Sequence, residues 1–150
     1  MTTQRPSENA IAAWTRLVRV STQLHVKIEQ SLKNQGLPPL SWYDVLIEVH
    51  RAGSEGLRQF EISNKTLLPK HNLSRLIDRL EKEKLVRRQT CSEDGRGNLI
   101  LITEEGTEVL KRMWPVYGSG IHEGIEGSLE PEEVLMLAEL LEKLTTGSRK

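Results

Sequence analysis

The fold of this chain is decided by residues 68–103, which read LPKHNLSRLIDRLEKEKLVRRQTCSEDGRGNLILIT. The first half of the stretch spaces its apolar side chains at i, i+3, i+4 and i+7, which is the pattern of an amphipathic helix packed on a core. The second half reads as strand, loop and strand, because apolar runs flank Gly95 and Gly97. The stretch therefore predicts a helix followed by a hairpin. The apolar positions of the helix are Leu73, Leu76, Ile77 and Leu80.

The other face of this helix is polar and cationic. Arginine, lysine, asparagine and serine are side chains that hydrogen-bond base edges and phosphates in the major groove of DNA. On an isolated helix such residues are more typical of a solvated surface, but the turn before this helix and the hairpin after it favour DNA contact. The candidate DNA-binding residues are Lys70, His71, Asn72, Ser74, Arg75 and Arg79. For Arg79 an ion pair is the alternative, and its potential partners are Asp78, Glu83 and Asp94.

Four motifs resemble the winged helix-turn-helix of the MarR family of bacterial transcriptional regulators, most strongly between residues 41 and 106. The resemblance implies a mainly α fold with a small β-hairpin wing (α+β) and long N- and C-terminal dimerisation helices. It also implies a homodimer that binds a pseudo-palindromic double-stranded DNA operator, as a repressor. The motifs are the helix end Asp78-Arg79-Leu80-Glu81, the strand Leu85-Val86-Arg87-Arg88, the tip Asp94-Gly95-Arg96 and the helix start Ile102-Thr103-Glu104-Glu105-Gly106.

The predicted wing supplies further candidates. The resemblance implies that Arg96 enters the minor groove and that Asp94 orients an arginine, and a narrow A·T-rich groove attracts arginine because it concentrates negative potential. A solvated turn with a local ion pair is the alternative. Arg87 and Arg88 occupy successive strand positions and face opposite ways, so one of them is expected to reach phosphate, and Arg88 is the predicted contact.

Helical spacing extends from Ser7 to Lys33, about seven turns, which is longer than a single domain of this size needs. In MarR-like proteins such a helix interdigitates with a second subunit. The predicted organisation is one domain with an N-terminal dimerisation helix (1–36), a DNA-binding lobe (37–103) and C-terminal dimerisation helices (104–150).

Shorter helices connect these parts. One is predicted from Ser41, as its cap, to residue 52, and another over residues 58–66, where it buries Phe60 or Ile62. After the wing, Thr103 is expected to cap a helix that Pro115 kinks. Glycines weaken the stretch behind that proline by about 1 kcal/mol each relative to alanine. They are Gly118, Gly120, Gly124 and Gly127. A last helix is predicted from Pro131 to Leu144.

The formal net charge is zero, with 21 basic and 21 acidic residues, yet the charge is unevenly distributed. Residues 65–102 carry nine Lys or Arg against five Asp or Glu, whereas residues 103–150 carry five against ten. Exposed charges are screened over about 8 Å at physiological salt, so the local excess decides phosphate contact. The zero net charge motivates an alternative function, a winged-helix protein-interaction module that has lost operator binding. Leu67 and Pro69 motivate the same alternative, because the family usually has a small residue near position 67 and a capping Ser or Thr near position 69.

The resemblance also implies a small aromatic effector bound between the dimerisation helices and the DNA-binding lobe. The candidate ligand-binding residues are Trp14, His25, Trp42 and Tyr43, and the alternative for all four is a place in the core or in the dimer interface.

Other classes of function find no support. The histidines show no metal-ligand spacing, and no nucleophile elbow, phosphate loop or dinucleotide fingerprint occurs, so we predict no catalytic residue, metal or cofactor. The single cysteine, Cys91, is either incidental or a reactive thiol favoured by Arg87 and Arg88. The chain lacks both a run of about 18 apolar residues and a signal peptide, which predicts a cytoplasmic protein without a membrane partner.

Overall fold

The computed structural model describes residues 3–90 and 98–145. The chain forms two compact units. The helical unit comprises Met1–Ser31 and Tyr117–Lys150, and the winged unit comprises Leu32–Val116. The helices are α1 (Glu8–Asn34), α2 (Leu40–Ala52), α3 (Gln59–Lys65), α4 (Lys70–Lys82), α5 (Glu104–Ile121) and α6 (Pro131–Thr145), and the strands are β1 (Leu57–Arg58), β2 (Val86–Thr90) and β3 (Asn98–Ile102). Short 3-10 and π turns occupy Gly53–Glu55 and His122–Glu126.

The winged unit contains a three-stranded antiparallel sheet in the order β1-β3-β2. In the hairpin, Val86 pairs with Ile102 and Thr90 pairs with Asn98, which confirms the predicted wing strands. The third strand, β1, lies where the sequence predicted only a loop and the start of a helix. Two residues are too few for a periodic pattern, so only the pairing with β3 identifies this strand.

The core of the winged unit is built on the apolar stripe of α4. Leu73, Ile77 and Leu80 are buried, and Leu76 is half-buried, as the spacing predicted. Side chains of α2, α3 and the sheet complete this core. Its fully buried members outside α4 include Val45, Leu46, Val49, Ile62, Val86 and Ile100.

The structure resolves three local expectations. The α3 helix buries Ile62 and leaves Phe60 exposed. The predicted cap Ser41 is wrong, because α2 begins at the buried Leu40 and its N-cap is Pro39, which makes no side-chain cap hydrogen bond. The predicted cap Thr103 is confirmed, since its hydroxyl accepts a 3.0 Å hydrogen bond from the backbone N–H of Gly106.

The glycine-rich segment of the helical unit is helical and packs against α1. Pro115 lies inside α5 without ending it, and the helix continues to Ile121 and then into the π turn. A Cβ on Gly120 would lie 2.5 Å from Cγ1 of Ile28, and one on Gly124 would lie 2.5 Å from Cδ2 of Leu24. These glycines therefore permit a close approach to α1, and a larger residue at either position would require the Ile28 or Leu24 side chain to shift. In the part of the chain that is described, no helix is both long and apolar enough to cross a membrane.

Candidate nucleic-acid interface

The α4 helix begins as the sequence predicted, despite the proline at its start. Pro69 is the N-cap with φ −60°, and its carbonyl oxygen accepts hydrogen bonds from the backbone N–H groups of Asn72 (3.0 Å) and Leu73 (3.1 Å). Proline has no N–H to leave unpaired at this place, and its fixed φ suits a helix start. The departure from the usual capping residue thus leaves the helix intact.

The candidate DNA-binding residues of α4 all lie on one exposed surface, opposite the buried stripe. We call this surface the α4 face, and it comprises Lys70, His71, Asn72, Ser74, Arg75 and Arg79. Along α4 four Lys or Arg side chains outnumber two acidic ones, so the helix as a whole is cationic. Arg79 lies at the C-terminal end, where its Nε is 3.5 Å from Oε2 of Glu83. The ion-pair alternative for Arg79 is therefore realised, whereas Lys70 and Arg75 have no ion pair among the described residues.

Arg88 does not face outward with this set. Its Nη2 lies 2.7 Å from Oδ1 of Asp78 and its Nη1 lies 2.5 Å from Oε1 of Glu81, both on α4. The Arg88 side chain is only 23% exposed. Burial lowers the pKa of Arg88, but hydrogen bonds to Asp78 and Glu81 outweigh it, so that this pKa stands above its ordinary value. The guanidinium is thus a permanently charged link between β2 and α4.

The two ion pairs weigh against the predicted phosphate contact of Arg88. A guanidinium already bound to two carboxylates has little charge left for a phosphate, and freeing it would break two charge-assisted hydrogen bonds. Arg87, the preceding residue, lies on the opposite side of the strand and is exposed. The sequence predicts that the two arginines face opposite sides of the strand, but it does not show which of them faces α4. The carboxylates that bind Arg88 lie on that helix rather than on the strand. Arg87 is the better candidate for a phosphate contact.

The wing tip lies outside the described residues. Arg96, Asp94 and Cys91 all fall within residues 91–97, so their predicted roles stay predictions.

The candidate ligand-binding residues divide between the two units. Trp14 and His25 are exposed on α1, in the helical unit. Trp42 and Tyr43 are half-buried on α2, in the winged unit, where the ring of Tyr43 stacks on that of Trp114 with centroids 6.2 Å apart and planes at 24°. No local pattern in the sequence predicts this stack, because its two residues come from helices far apart in the chain.

The environment of Tyr43 changes its acidity. Burial raises the pKa of the Tyr43 phenol above its usual value, while the nearby Arg51 lowers it and Asp44 raises it. The phenol therefore remains neutral over the physiological pH range. Among the described residues, no group of three or more His, Cys, Asp or Glu side chains is arranged to hold a metal ion.

Together, a short helix, a turn, an exposed cationic helix and a braced β-hairpin define a winged helix-turn-helix protein, a class that places its second helix in the DNA major groove. Residues 35–97 match the model of the MarR family. An uncharacterised HTH-type transcriptional regulator of Bacillus cereus is 30% identical over 137 residues, which cover 91% of this chain and 89% of that protein. The chain belongs to the MarR family of transcriptional regulators.

Solved structures agree over nearly the whole chain. Sco3205, a MarR family transcriptional regulator from Streptomyces coelicolor solved in complex with DNA, is similar with a TM-score of 0.87 and 25% identity, covering 99% of this chain and 93% of that one. AbsC, a MarR family transcriptional regulator from the same organism, is similar with a TM-score of 0.81 and 28% identity, covering 98% and 99%. The predicted family and fold class, mainly α with a small β wing, are therefore confirmed.

Proposed function

We propose that this protein is a homodimeric repressor that binds a pseudo-palindromic duplex operator. The observation that carries the proposal is the α4 face, where cationic and amide side chains are exposed on a helix whose other side packs on the core. Lys70 and Arg75 are free of ion pairs within the described chain, so their charges are available to phosphates and base edges. The similarity to Sco3205, which was solved in complex with DNA, supports the same use of the helix here.

Each subunit inserts α4 into a major groove and lays its wing along the neighbouring backbone. Arg75 lies in the middle of the α4 face and is the candidate for a base contact, whereas Arg87 contacts phosphate. Arg96 at the wing tip is the candidate for the minor groove, with Asp94 orienting an arginine. Two such subunits require half-sites about one helical turn apart, or roughly 10 to 10.5 base pairs.

The homodimer is supported by apolar side chains that a single chain leaves in water. On α6, Leu135, Met136, Leu140 and Leu144 are exposed, and on α1 so are Ile11, Trp14, Leu17 and Val18. Monomeric proteins rarely expose contiguous apolar surface of this kind. A second copy of the same helices covers it, and in that dimer residues 1–36 and 104–150 supply the dimerisation helices.

A small aromatic effector completes the proposal. In the winged unit, the rings of Tyr43 and Trp114 are stacked, Trp42 is half-buried on the same helix as Tyr43, and aromatic ligands favour stacking on aromatic rings. An effector of this class releases DNA if it binds the DNA-incompetent arrangement of the protein more tightly. For Trp14 and His25, which are exposed on α1, a ligand contact requires the dimer. We also propose that this regulator is cytoplasmic, because the DNA that it binds lies in the cytoplasm.

The experiment is a selection of bound duplexes from a random pool, followed by fluorescence-anisotropy titration at two salt concentrations. A regulator enriches a two-fold symmetric site and binds it with a steep salt dependence, because each phosphate contact releases a counterion. The second candidate function is a protein-interaction module, which the exposed apolar Phe60 and Leu67 of the winged unit favour. An absence of both enrichment and salt dependence would refute the regulator and favour that module.

A further inference from the structure

Leu67 stands out among the side chains of the winged unit. It lies in the turn between α3 and α4 and is fully exposed, at 103% of the reference value, the highest among the large apolar residues that the structure describes. Water is an unfavourable environment for an isolated leucine side chain. The next residue, Leu68, is half-buried, so the turn directs one leucine towards the core and the other outward.

The turn that carries Leu67 is fixed on both sides. Before it, the backbone N–H and the hydroxyl of Thr66 both donate to the carbonyl oxygen of Ile62, at 3.1 and 3.0 Å. After it, Pro69 has a restricted φ and accepts the first hydrogen bonds of α4. Leu67 is therefore presented by a defined backbone rather than by a free loop.

The surroundings of Leu67 indicate what it meets. The residues that follow, Lys70, His71 and Asn72, form the N-terminal edge of the α4 face and are all exposed and polar. Helix-turn-helix proteins read bases mainly with the N-terminal residues of the second helix. Leu67 adds an apolar group to this polar edge. In the major groove the bases present hydrogen-bonding atoms and a single apolar group, the C5-methyl of thymine.

We propose that Leu67 is a specificity-determining residue that contacts the C5-methyl group of a thymine in each half-site. This proposal rests on the proposed function, because it requires α4 to lie in a major groove. Leu67 is exposed only three residues before Lys70, where the cationic α4 face begins. This position favours DNA as the occupant over a protein partner, for which the charges of the α4 face would have to be neutralised separately.

The test compares duplexes that differ only in that methyl group. The duplex selected by the wild-type protein is made with thymine and with deoxyuridine, which pairs identically but lacks the methyl, at one half-site position at a time. The wild-type protein should lose about fourfold in affinity at one position, as expected for one methyl group, and roughly fifteenfold when both half-sites are changed. Leu67→Ala should bind both duplexes equally, with about the affinity of the wild-type protein for the deoxyuridine duplex.

Two control variants separate methyl recognition from general weakening. Phe60→Ala truncates the other exposed apolar side chain of the helix-turn-helix and should retain the preference for thymine. Arg75→Ala should weaken binding to both duplexes and also retain it. The proposal is overturned if the wild-type protein never distinguishes thymine from deoxyuridine, or if Leu67→Ala keeps the wild-type preference. A wild-type protein that enriches no duplex refutes the proposed function itself, which is a different outcome.

Discussion

The helices α4 and α6 are both amphipathic, but only α4 has its apolar side covered within one chain. Leu80 of α4 is 0% exposed, whereas Leu140 of α6 is 52% exposed. Across Pro131–Thr145, all of which the structure describes, no side chain of α6 is fully buried. The comparison teaches that α4 buries its apolar stripe within its own unit, while α6 leaves apolar side chains exposed, as the proposed dimer requires.

The largest expected effect comes from replacing leucine by alanine in each of the two helices, which tests the contrast between buried α4 and exposed α6. Leu80→Ala should lower the free energy of unfolding by about 2 to 5 kcal/mol, because it leaves a cavity in a packed core. Leu140→Ala should cost less, and its cost should depend on protein concentration, because its side chain is covered only in the proposed dimer. Urea unfolding at two protein concentrations measures both. Equal, concentration-independent losses would show that the two helices are equally buried in one chain.

A charge on α6 tests the dimer directly. The double variant Leu135→Glu with Leu140→Glu should raise the dimer dissociation constant by about 100-fold or more, because two unpaired carboxylates would be buried in each contributing helix. Analytical ultracentrifugation measures the dissociation constant. The matched control is Glu139→Gln on the same helix, which should leave the dimer unchanged. A double variant that stays as dimeric as the wild-type protein would place the interface elsewhere.

Substitutions on the exposed side of α4 should change the affinity for DNA rather than the free energy of unfolding. Arg75→Ala should cost about 1 to 3 kcal/mol in affinity for the selected operator and reduce the preference for one base, because a bidentate contact to a base edge is lost. Lys70→Ala is the comparison variant and should weaken binding to all sequences similarly. Competition titrations against single-base operator variants distinguish the two results. A uniform loss for Arg75→Ala would mean that it contacts phosphate alone.

Substitutions of the two neighbouring arginines of β2 should have separate effects, one on the free energy of unfolding and the other on DNA binding. Arg88→Met removes the brace to Asp78 and Glu81 and should lower the free energy of unfolding by about 1 kcal/mol, with partial rescue by Arg88→Lys. Arg87→Met should leave stability unchanged and reduce the salt slope of DNA binding by about 1 per subunit. The reverse pattern, with stability lost at Arg87 and the salt slope altered at Arg88, would restore the original prediction for Arg88.

The smallest effect concerns pH. Because burial raises the pKa of Tyr43 in the folded protein, its contribution to stability is fully present below the ordinary phenol pKa of about 10. It is lost as the pH rises through the higher folded-state value. Tyr43→Phe should therefore reduce the fall in stability above pH 10 that the wild-type protein shows. Identical pH profiles of urea unfolding for the two proteins would contradict this.

Much of the fold could be predicted from the sequence because its signals are local. The stripe from Leu73 to Leu80, the cap at Thr103 and the hairpin strands each depend on spacing or on a single side chain, and all were confirmed. Predictions that needed a partner from elsewhere in the chain fared less well. The choice between Phe60 and Ile62, the start of α2 and the strand β1 are examples.

The candidate site divides in the same way. The exposure of the α4 face followed from its position opposite the stripe, since burying one side of a helix leaves the other in solvent. The direction of Arg88 did not follow, because Asp78 and Glu81 belong to another element and their distances to Arg88 are set by how the strand packs. The packing role of the glycines at 120 and 124 did not follow from the sequence either, because Ile28 and Leu24, which lie against them, belong to another helix.

By itself, the sequence determined the order of the helices, the amphipathic recognition helix, the β wing and membership of the MarR family. These rest on residue spacing and on motifs, which a linear chain carries in full. Only the tertiary structure decided which arginine of β2 is held as a brace, that Leu67 projects from a fixed turn, and that Tyr43 stacks on Trp114. The physical reason is that burial and ion pairing are properties of neighbours in space, and folding alone chooses those neighbours.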